Sequence, residues 1–238
     1  PELLKAFGEA VNRLEGKYIC AEDVGCTPAD IDTILQTTKY ACGVHNLRGS
    51  GNPSSFTAHG TFLGIQSVLQ ELDGSDSLEG KTIAIQGIGS VGKRLAERLF
   101  WAGAKLIISD VNLDVIEHFA HEFDAERVSP DKILEVECDV LAPCALGGVI
   151  NQNMISKLKC RAIAGAANNQ LLKPTDADHL RERGILYAPD FVVNSGGLIN
   201  VMNELSVEGY NATKARDMIN QVYHQLLQIY EIAQQNNV

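Results

Sequence analysis

A glycine-rich turn between two apolar segments constrains the fold of this 238-residue chain more than any other feature. Residues 82–85 have the composition of a buried strand, residues 93–101 have helical spacing, and the apolar segment 106–109 ends at Asp110. Between the first strand and the helix lies a Gly-x-Gly-x-x-Gly motif made of Gly87, Ile88, Gly89, Ser90, Val91 and Gly92. This order predicts a strand, a tight turn, a helix and a parallel strand, the βαβ unit typical of dinucleotide binding.

Each glycine of the motif has its own expected role. Gly87 allows the tight turn, Gly89 lets the backbone approach a pyrophosphate, and Gly92 lets the helix pack closely on the strand. Free N–H groups and the positive dipole end at the helix N-terminus suit phosphate groups. A carboxylate at Asp110 accepts hydrogen bonds from a ribose 2′-hydroxyl and repels a 2′-phosphate, so we predict bound NAD rather than NADP. The alternative is an ordinary tight turn in an α/β domain.

Short apolar segments alternate with helical ones from Ser77 onward. The predicted strands are 82–86, 105–109, 138–142, 161–165 and 185–187. The predicted helices are 90–101, 112–123, 130–135, 151–158 and 175–183. Continuous apolar strands joined by helices indicate a parallel sheet covered on both faces. The expected fold is therefore α/β, a Rossmann-like doubly wound parallel sheet, with ligands bound at the carboxyl ends of the strands.

The residues before this alternating pattern predict a smaller α/β region. Apolar spacing predicts a helix over 2–14, and residues 18–21 resemble a short strand. Thr27 and Asp30 form a helix start, and residues 54–72, which carry few charges, should form a largely buried helix. We expect residues 1–50 to be the remnant of a catalytic or substrate domain. Residues 51–238 should form an NAD-binding domain with its linking helices.

Composition excludes several classes of function. Hydrophobic residues make up 45% of the chain and charged residues 21%, as in ordinary globular proteins. The net charge of −10 disfavours nucleic acid or an acidic membrane as the main partner. No apolar segment approaches the roughly 20 residues of a membrane span, and no signal peptide is visible, so we expect a soluble cytoplasmic protein. The six cysteines and six histidines form no ligand motif, which predicts buried reduced thiols and no metal site.

Several segments taken together resemble the glutamate/leucine/phenylalanine/valine dehydrogenases, and most closely leucine dehydrogenase and its aromatic-amino-acid (phenylalanine and tryptophan) relatives. In addition to the glycine turn, these segments are AEDVG at 21–25, GNPS at 51–54, DSLEGK at 76–81, APCALGG at 142–148, GAANNQL at 165–171, YAPD at 187–190 and NSGG at 194–197. They occur in the family's order across nearly the whole chain. The resemblance implies NAD-dependent oxidative deamination of a hydrophobic L-amino acid, of the leucine, valine, phenylalanine or tryptophan type, to the 2-oxo acid and ammonia.

The resemblance also implies roles for individual residues. Asp23 corresponds to the catalytic base of the family, although the local sequence would favour a cap for the helix that begins near Pro28. In addition to the glycine turn and Asp110, the expected contacts with the cofactor come from Thr57, Val111, Cys144, Ala145, Leu146, Ala166, Ala167 and Asn168. Expected contacts with the substrate come from Ala21, Asn169, Asn194, Leu198, Val201 and Met202.

Each of these roles has a purely structural alternative. Thr57 could bond back within its helix, Asn168 and Asn169 could be turn formers, and Asn194 could cap the next helix. The residues Leu198, Val201 and Met202 could be ordinary core residues of an amphipathic helix. These three are apolar, so a buried substrate γ-carboxylate would be costly there, which disfavours a glutamate dehydrogenase.

The sequence departs from the family pattern upstream of Asp23. The family places two lysines there in glycine-rich segments, whereas this chain has only Lys5 and Lys17, neither in such a segment. We therefore expect a chain truncated at both ends, whose homo-oligomeric parent is the enzyme. The chain itself should bind NAD with little or no turnover, because a substrate that is not held is not oriented for reaction. The alternative is a non-catalytic NAD-binding or regulatory protein derived from this family.

Overall fold

A computed structural model describes residues 1–23, 25–43 and 50–237. Val24 of the 21–25 motif, residues 44–49, which include His45, and Val238 lie outside the described residues. The chain divides into two compact units. The first consists of Pro1–Phe56 and Gly197–Ile219, and the second of Thr57–Gly196 and Asn220–Val238.

A parallel sheet forms the centre of the second unit and confirms the predicted α/β fold. Its strands are β1 (Thr82–Gln86), β2 (Lys105–Ser109), β3 (Glu126–Arg127), β4 (Glu137–Pro143), β5 (Lys159–Ile163) and β6 (Leu186–Tyr187). Within the described residues, the sheet has six strands in the order β3-β2-β1-β4-β5-β6, the order of a doubly wound dinucleotide-binding fold. The register places Gln86 at the end of β1 beside Pro143 at the end of β4.

Ten α-helices occur in the described part of the chain. They are α1 (Glu2–Asn12), α2 (Pro28–Ile34), α3 (Ser54–Asp73), α4 (Ser90–Trp101), α5 (Leu113–Glu122), α6 (Gln152–Ile155), α7 (Asp176–Glu182), α8 (Asp190–Val193), α9 (Gly196–Met202) and α10 (Ala212–Asn236). The predicted helix 130–135 is only a short 3₁₀ turn at Ile133–Glu135. None of the described helices is both long and apolar enough to cross a membrane.

The sheet differs from the predicted one at two places. Glu126–Arg127 forms the edge strand β3, which the sequence did not reveal because both residues are exposed and neither is apolar. The strand predicted at 161–165 lies two residues earlier, at Lys159–Ile163. Beyond the end of this strand, the backbone at Gly165 lies so close to the end of β4 that a Cβ there would overlap the carbonyl oxygen of Pro143.

The second unit is stabilised by aliphatic side chains on both faces of the sheet. Ile83, Ile85, Leu141 and Ile163 are all at most 1% exposed. Helix α3 is largely buried, as predicted, because no residue from 54 to 72 is exposed. Burial of such side chains is the main source of folding free energy, at roughly 25 cal/mol per Å² of apolar surface.

The first unit has a separate small core. Val11, Cys20, Ile31, Ile34 and Ala41 are buried together. The strand predicted at 18–21 is reduced to a single parallel bridge between Cys20 and Ala41.

Helix α2 begins as predicted. The hydroxyl of Thr27 accepts a hydrogen bond from the Asp30 amide, and the Asp30 carboxylate accepts one from the Thr27 amide. This reciprocal pair is a capping box, which satisfies two free amides at the helix start. Thr27 is therefore the cap, and Asp23 is not.

A row of polar side chains near the amino ends of the strands connects the sheet to the end of α3. Asp139 accepts a hydrogen bond from the amide of Thr82 at 2.8 Å and pairs with Arg161 at 3.2 Å. Arg161 and Lys81 both contact Asp73, at 2.5 and 2.7 Å. These two cations lower the pKa of the Asp73 carboxyl to about 2, with the Arg161 hydrogen bond as the largest cause.

We expect Asp73→Asn to reduce the free energy of unfolding at pH 7 by roughly 1 kcal/mol, since exposed ion pairs are individually weak. A carboxyl whose pKa is lowered in the folded state stabilises the fold above its unfolded pKa, and that contribution is lost as the pH falls towards about 2. Urea unfolding at a series of pH values should show the two proteins converging below pH 3.8.

Asp217→Asn is the matched control. Asp217 pairs with the adjacent Arg216 at the surface, where both side chains are 60% exposed, so its loss should change stability little. An Asp73→Asn deficit that stays constant down to pH 3 would contradict this account of the ion-pair network.

Candidate functional site

The three glycines of the turn at the end of β1 have different surroundings. Gly87 has a φ of 98° and donates its amide to the Ser109 carbonyl at 2.7 Å. A Cβ at Gly92 would overlap the carbonyl oxygen of Gly87, so α4 can pack on the turn only with glycine there. A Cβ at Gly89 would meet nothing within 4 Å. Gly87 and Gly92 are thus required by the backbone geometry of the turn, whereas Gly89 faces open space.

Asp110, at the end of β2, is fixed to the glycine turn. One carboxylate oxygen accepts the Ile88 amide at 2.7 Å, and the other accepts the Asn112 amide at 2.8 Å. The Ile88 side chain is 1% exposed, so this residue can offer only its backbone to a ligand, while the neighbouring Val111 is 86% exposed. Each carboxylate oxygen of Asp110 keeps a second lone pair for a further donor.

The loop after β4 lies against the same turn. Cys144 donates its amide to the Gln86 carbonyl at 2.7 Å. A Cβ at Gly87 would lie 2.9 Å from the Cβ of Ala145, and both Ala145 and Leu146 are exposed. Burial raises the pKa of the Cys144 thiol to about 12, which keeps the thiol protonated and makes it a poor nucleophile.

The loop after β5 carries the two asparagines of the 165–171 motif. Asn168 and Asn169 are both exposed, and Asn169 has a φ of 51°, so it does form a turn. The side-chain amide of Asn194 donates hydrogen bonds to the side-chain oxygen of Asn168 and to the backbone carbonyl of Ala166. Asn194 therefore binds this loop with its side chain and does not cap the following helix.

Helix α3 lies against the turn that contains Asn194. A Cβ at Gly60 would come within 3.1 Å of the Val193 carbonyl oxygen and 3.4 Å of the Gly196 amide. Thr57 lies one turn earlier on α3 and is half-buried. The second unit thus assembles the glycine turn, the Asp110 carboxylate and the loops after β4 and β5 at the carboxyl edge of its sheet.

Asp23 and Ala21, in the first unit, are both exposed. The backbone carbonyl of Asp23 accepts a hydrogen bond from the Cys26 amide at 2.9 Å. On α9, Leu198 and Met202 are exposed, whereas Val201 is 4% exposed. Val201 packs near Gly43, where a Cβ would lie 3.8 Å from its Cγ1.

Glu204, just after α9, is a structural residue that sequence reasoning missed. Its carboxylate accepts the amide of Gly43 at 3.0 Å and that of Ser50 at 2.5 Å. Nearby, the fully buried Asn200 donates to the Ser50 carbonyl at 3.3 Å and accepts from the Tyr210 hydroxyl at 2.8 Å. Within the first unit, these bonds connect the end of α9 and the residues after it to Gly43 and Ser50. Local sequence could not reveal them because the partners are far apart along the chain.

Metal ligands and disulfides do not occur in the described parts of the chain. Within residues 1–23, 25–43 and 50–237, no group of three His, Cys, Asp or Glu side chains is placed to hold a metal ion. All six cysteines are described and are free thiols. Cys26 is exposed and Cys144 half-buried, so the expectation of buried thiols holds for the other four.

The chain is similar to dehydrogenases over almost all of its length. A model of the Glutamate/Leucine/Phenylalanine/Valine dehydrogenase family matches residues 49–113 and 108–236. Leucine dehydrogenase of Geobacillus stearothermophilus is 47% identical over 99% of this chain and 64% of its own length. Phenylalanine dehydrogenase of Lysinibacillus sphaericus is 40% identical over 98% of this chain and 62% of its own length. The chain therefore spans slightly less than two thirds of these relatives.

A solved structure has the same fold. The crystal structure of L-tryptophan dehydrogenase from Nostoc punctiforme superposes with a TM-score of 0.85 at 41% identity and covers 100% of this chain and 68% of its own. Sequence similarity and shared fold agree with the motifs read from the sequence. The chain belongs to the glutamate/leucine/phenylalanine/valine dehydrogenase family.

Proposed function

We propose that the protein containing this chain is an NAD-dependent dehydrogenase that oxidatively deaminates a hydrophobic L-amino acid to the 2-oxo acid and ammonia. The observation that carries the proposal is the Asp110 carboxylate, held beside the glycine turn in a chain similar throughout to dehydrogenases of leucine, tryptophan and phenylalanine. Because this chain spans 64% of the first of these relatives, the activity is proposed for the whole protein.

The second unit has the features that suit NAD. Open space at Gly89 and the free amides at the start of α4 would receive the pyrophosphate. Asp110 would accept the hydroxyls of the adenosine ribose and disfavour a 2′-phosphate. The loops 144–146 and 166–168, with Thr57, would border the nicotinamide half. When bound, NAD supplies the acceptor for the hydride that leaves the substrate Cα.

The first unit would supply the groups that act on the amino acid. Asp23 would accept a proton from the substrate ammonium and release it to solvent. After the hydride has left Cα, Asp23 would accept a proton from the water that adds to the iminium carbon and return it to the amino nitrogen, which then leaves as ammonia. Exposed Leu198 and Met202 would line the side-chain pocket, with Ala21 also contributing. An apolar lining favours a hydrophobic substrate because an unpaired carboxylate would be costly to bury. Asn169 and Asn194, which belong to the second unit, would hold the polar end of the substrate.

The residue ranges can be assigned to these two roles. We propose that residues 1–50 belong to the substrate domain and residues 51–238 to the NAD-binding domain with its linking helices. Within that range, the linking segment Gly197–Ile219, which would include the pocket wall, belongs to the first compact unit.

We expect Gly89→Ala to lower NADH affinity and Gly92→Ala to lower the stability of the fold. The methyl group of Gly89→Ala projects into open space, so the melting temperature should stay unchanged while NADH affinity falls about tenfold or more, a loss of roughly 1.4 kcal/mol. Gly92→Ala should destabilise the fold by roughly 1–3 kcal/mol, because its Cβ would overlap the Gly87 carbonyl. Fluorescence titration with NADH measures the affinity, and thermal unfolding measures the stability. A Gly89→Ala protein that binds NADH as well as the wild type would contradict the proposed pyrophosphate position.

We expect Asp110→Asn to reduce discrimination between NADH and NADPH. The neutral side chain no longer repels a 2′-phosphate, so the ratio of the two affinities should fall by about tenfold. Asp114→Asn, an exposed carboxylate in the first turn of α5, is the matched control and should leave the ratio unchanged. An unaltered ratio in Asp110→Asn would show that the carboxylate does not face the ribose.

Turnover tests the function directly. In the natural polypeptide that carries this chain, we expect NADH formation from one or more of L-leucine, L-valine, L-phenylalanine and L-tryptophan. Asp23→Asn should lower kcat by about 100-fold or more while NADH affinity stays constant, because only the proton acceptor is lost. Asp32→Asn, an exposed aspartate on α2, serves as the control. A natural polypeptide that binds NADH but oxidises none of these amino acids would support the non-catalytic alternative.

A further inference from the structure

Gln170 is a buried polar residue to which the cofactor and substrate roles assign nothing. It follows the exposed Asn168 and Asn169 directly, yet its own side chain is 0% exposed. Its side-chain amide donates two hydrogen bonds, to the carbonyl of Gly165 at 2.8 Å and to that of Ala167 at 3.0 Å. Both partners are carbonyl oxygens, so the orientation of the amide follows from the contacts themselves.

Glutamine suits this position because its side-chain amide has two N–H donors. Its side-chain oxygen is buried and has no hydrogen-bond partner among the described residues, which is a cost to the fold. Leucine has a similar size but would leave the carbonyls of Gly165 and Ala167 unpaired. Glutamate would place a second oxygen against those carbonyls. Only a side chain with two donors and this reach satisfies both carbonyls from inside the loop.

The backbone around Gln170 is anchored on both sides. Its amide donates to the Asp190 carboxylate at 2.9 Å, and its carbonyl accepts the Ile150 amide at 3.0 Å. The carbonyl of Asn169 accepts the Gly148 amide at 2.7 Å. With Asn194 bonded to the Ala166 carbonyl, the loop from 165 to 170 is held at nearly every carbonyl. Such a loop has little freedom to redirect its exposed side chains.

We propose that Gln170 is a positioning residue, whose buried side-chain amide holds the 165–169 loop in the shape that presents Asn168 to the nicotinamide half of the bound cofactor and Asn169 to the substrate. It does so through the backbone, without touching the ligand. The inference rests on the proposed NAD site. It adds that one buried side chain controls affinity for the nicotinamide half separately from affinity for the adenosine half, which Asp110 and the glycine turn would hold.

Two ligands distinguish positioning from a general structural role. NADH contacts both halves of the proposed site, whereas ADP contacts only the adenosine half. We expect Gln170→Leu to weaken NADH binding about tenfold, equivalent to roughly 1.4 kcal/mol, with ADP affinity within about twofold of wild type. Isothermal titration with each ligand measures this, and circular dichroism confirms folding. Gln152→Leu, the same substitution at an exposed position in α6, is the matched control and should change neither affinity.

A second variant covers the case in which Gln170→Leu does not fold. Asp190→Ala removes the carboxylate that holds the Gln170 amide and leaves the buried side chain in place. It should weaken NADH binding by a smaller factor, again with ADP binding intact. Equal losses of NADH and ADP affinity in a folded variant, or no loss of either, would overturn the inference. A wild-type chain that binds neither NADH nor ADP would instead overturn the proposed function on which it rests.

Discussion

The parallel pairing of β1 with β4 is the constraint on which the rest of the second unit depends. Strand order reverses at this pair, so the chains leaving the two strands turn to opposite faces of the sheet and leave a crevice between them. The register places Gln86 beside Pro143, and the Cys144 amide then bonds to the Gln86 carbonyl. This contact places the glycine turn and the loop after β4 together at the carboxyl edge of the sheet.

The loops at that edge are held by a few side chains that bond to backbone. Asp110 binds the amide of Ile88, Asn194 binds the carbonyl of Ala166, and Gln170 binds two carbonyls of its own loop. Asp110 and Asn194 each bind a neighbouring segment, whereas Gln170 binds its own loop. All of these bonds restrict the conformations of the loops at this edge. A ligand that meets such loops has little ordering entropy to overcome, which is the general advantage of preorganised sites.

The amino ends of the strands have a different role. There, Thr82, Asp139 and Arg161 form a row across three adjacent strands, and Asp73 joins it from the end of α3. These contacts connect a helix to the sheet. The stabilising ion pairs and the proposed ligand site thus lie at opposite edges of one sheet, as expected for parallel α/β folds.

The sequence by itself determined the elements whose physical cause is local. The glycine turn, β1, β2 and α4 follow from apolar periodicity and from the steric freedom of glycine, and their bounds agree to the residue with the prediction. The Thr27 cap and the candidate site residues were equally visible, as motifs. Tertiary structure alone decided that Glu204 binds Gly43 and Ser50, because these groups meet only after folding brings distant segments together. It also decided that Gln170 points inward beside two exposed asparagines, since that direction is set by carbonyls which the sequence does not display.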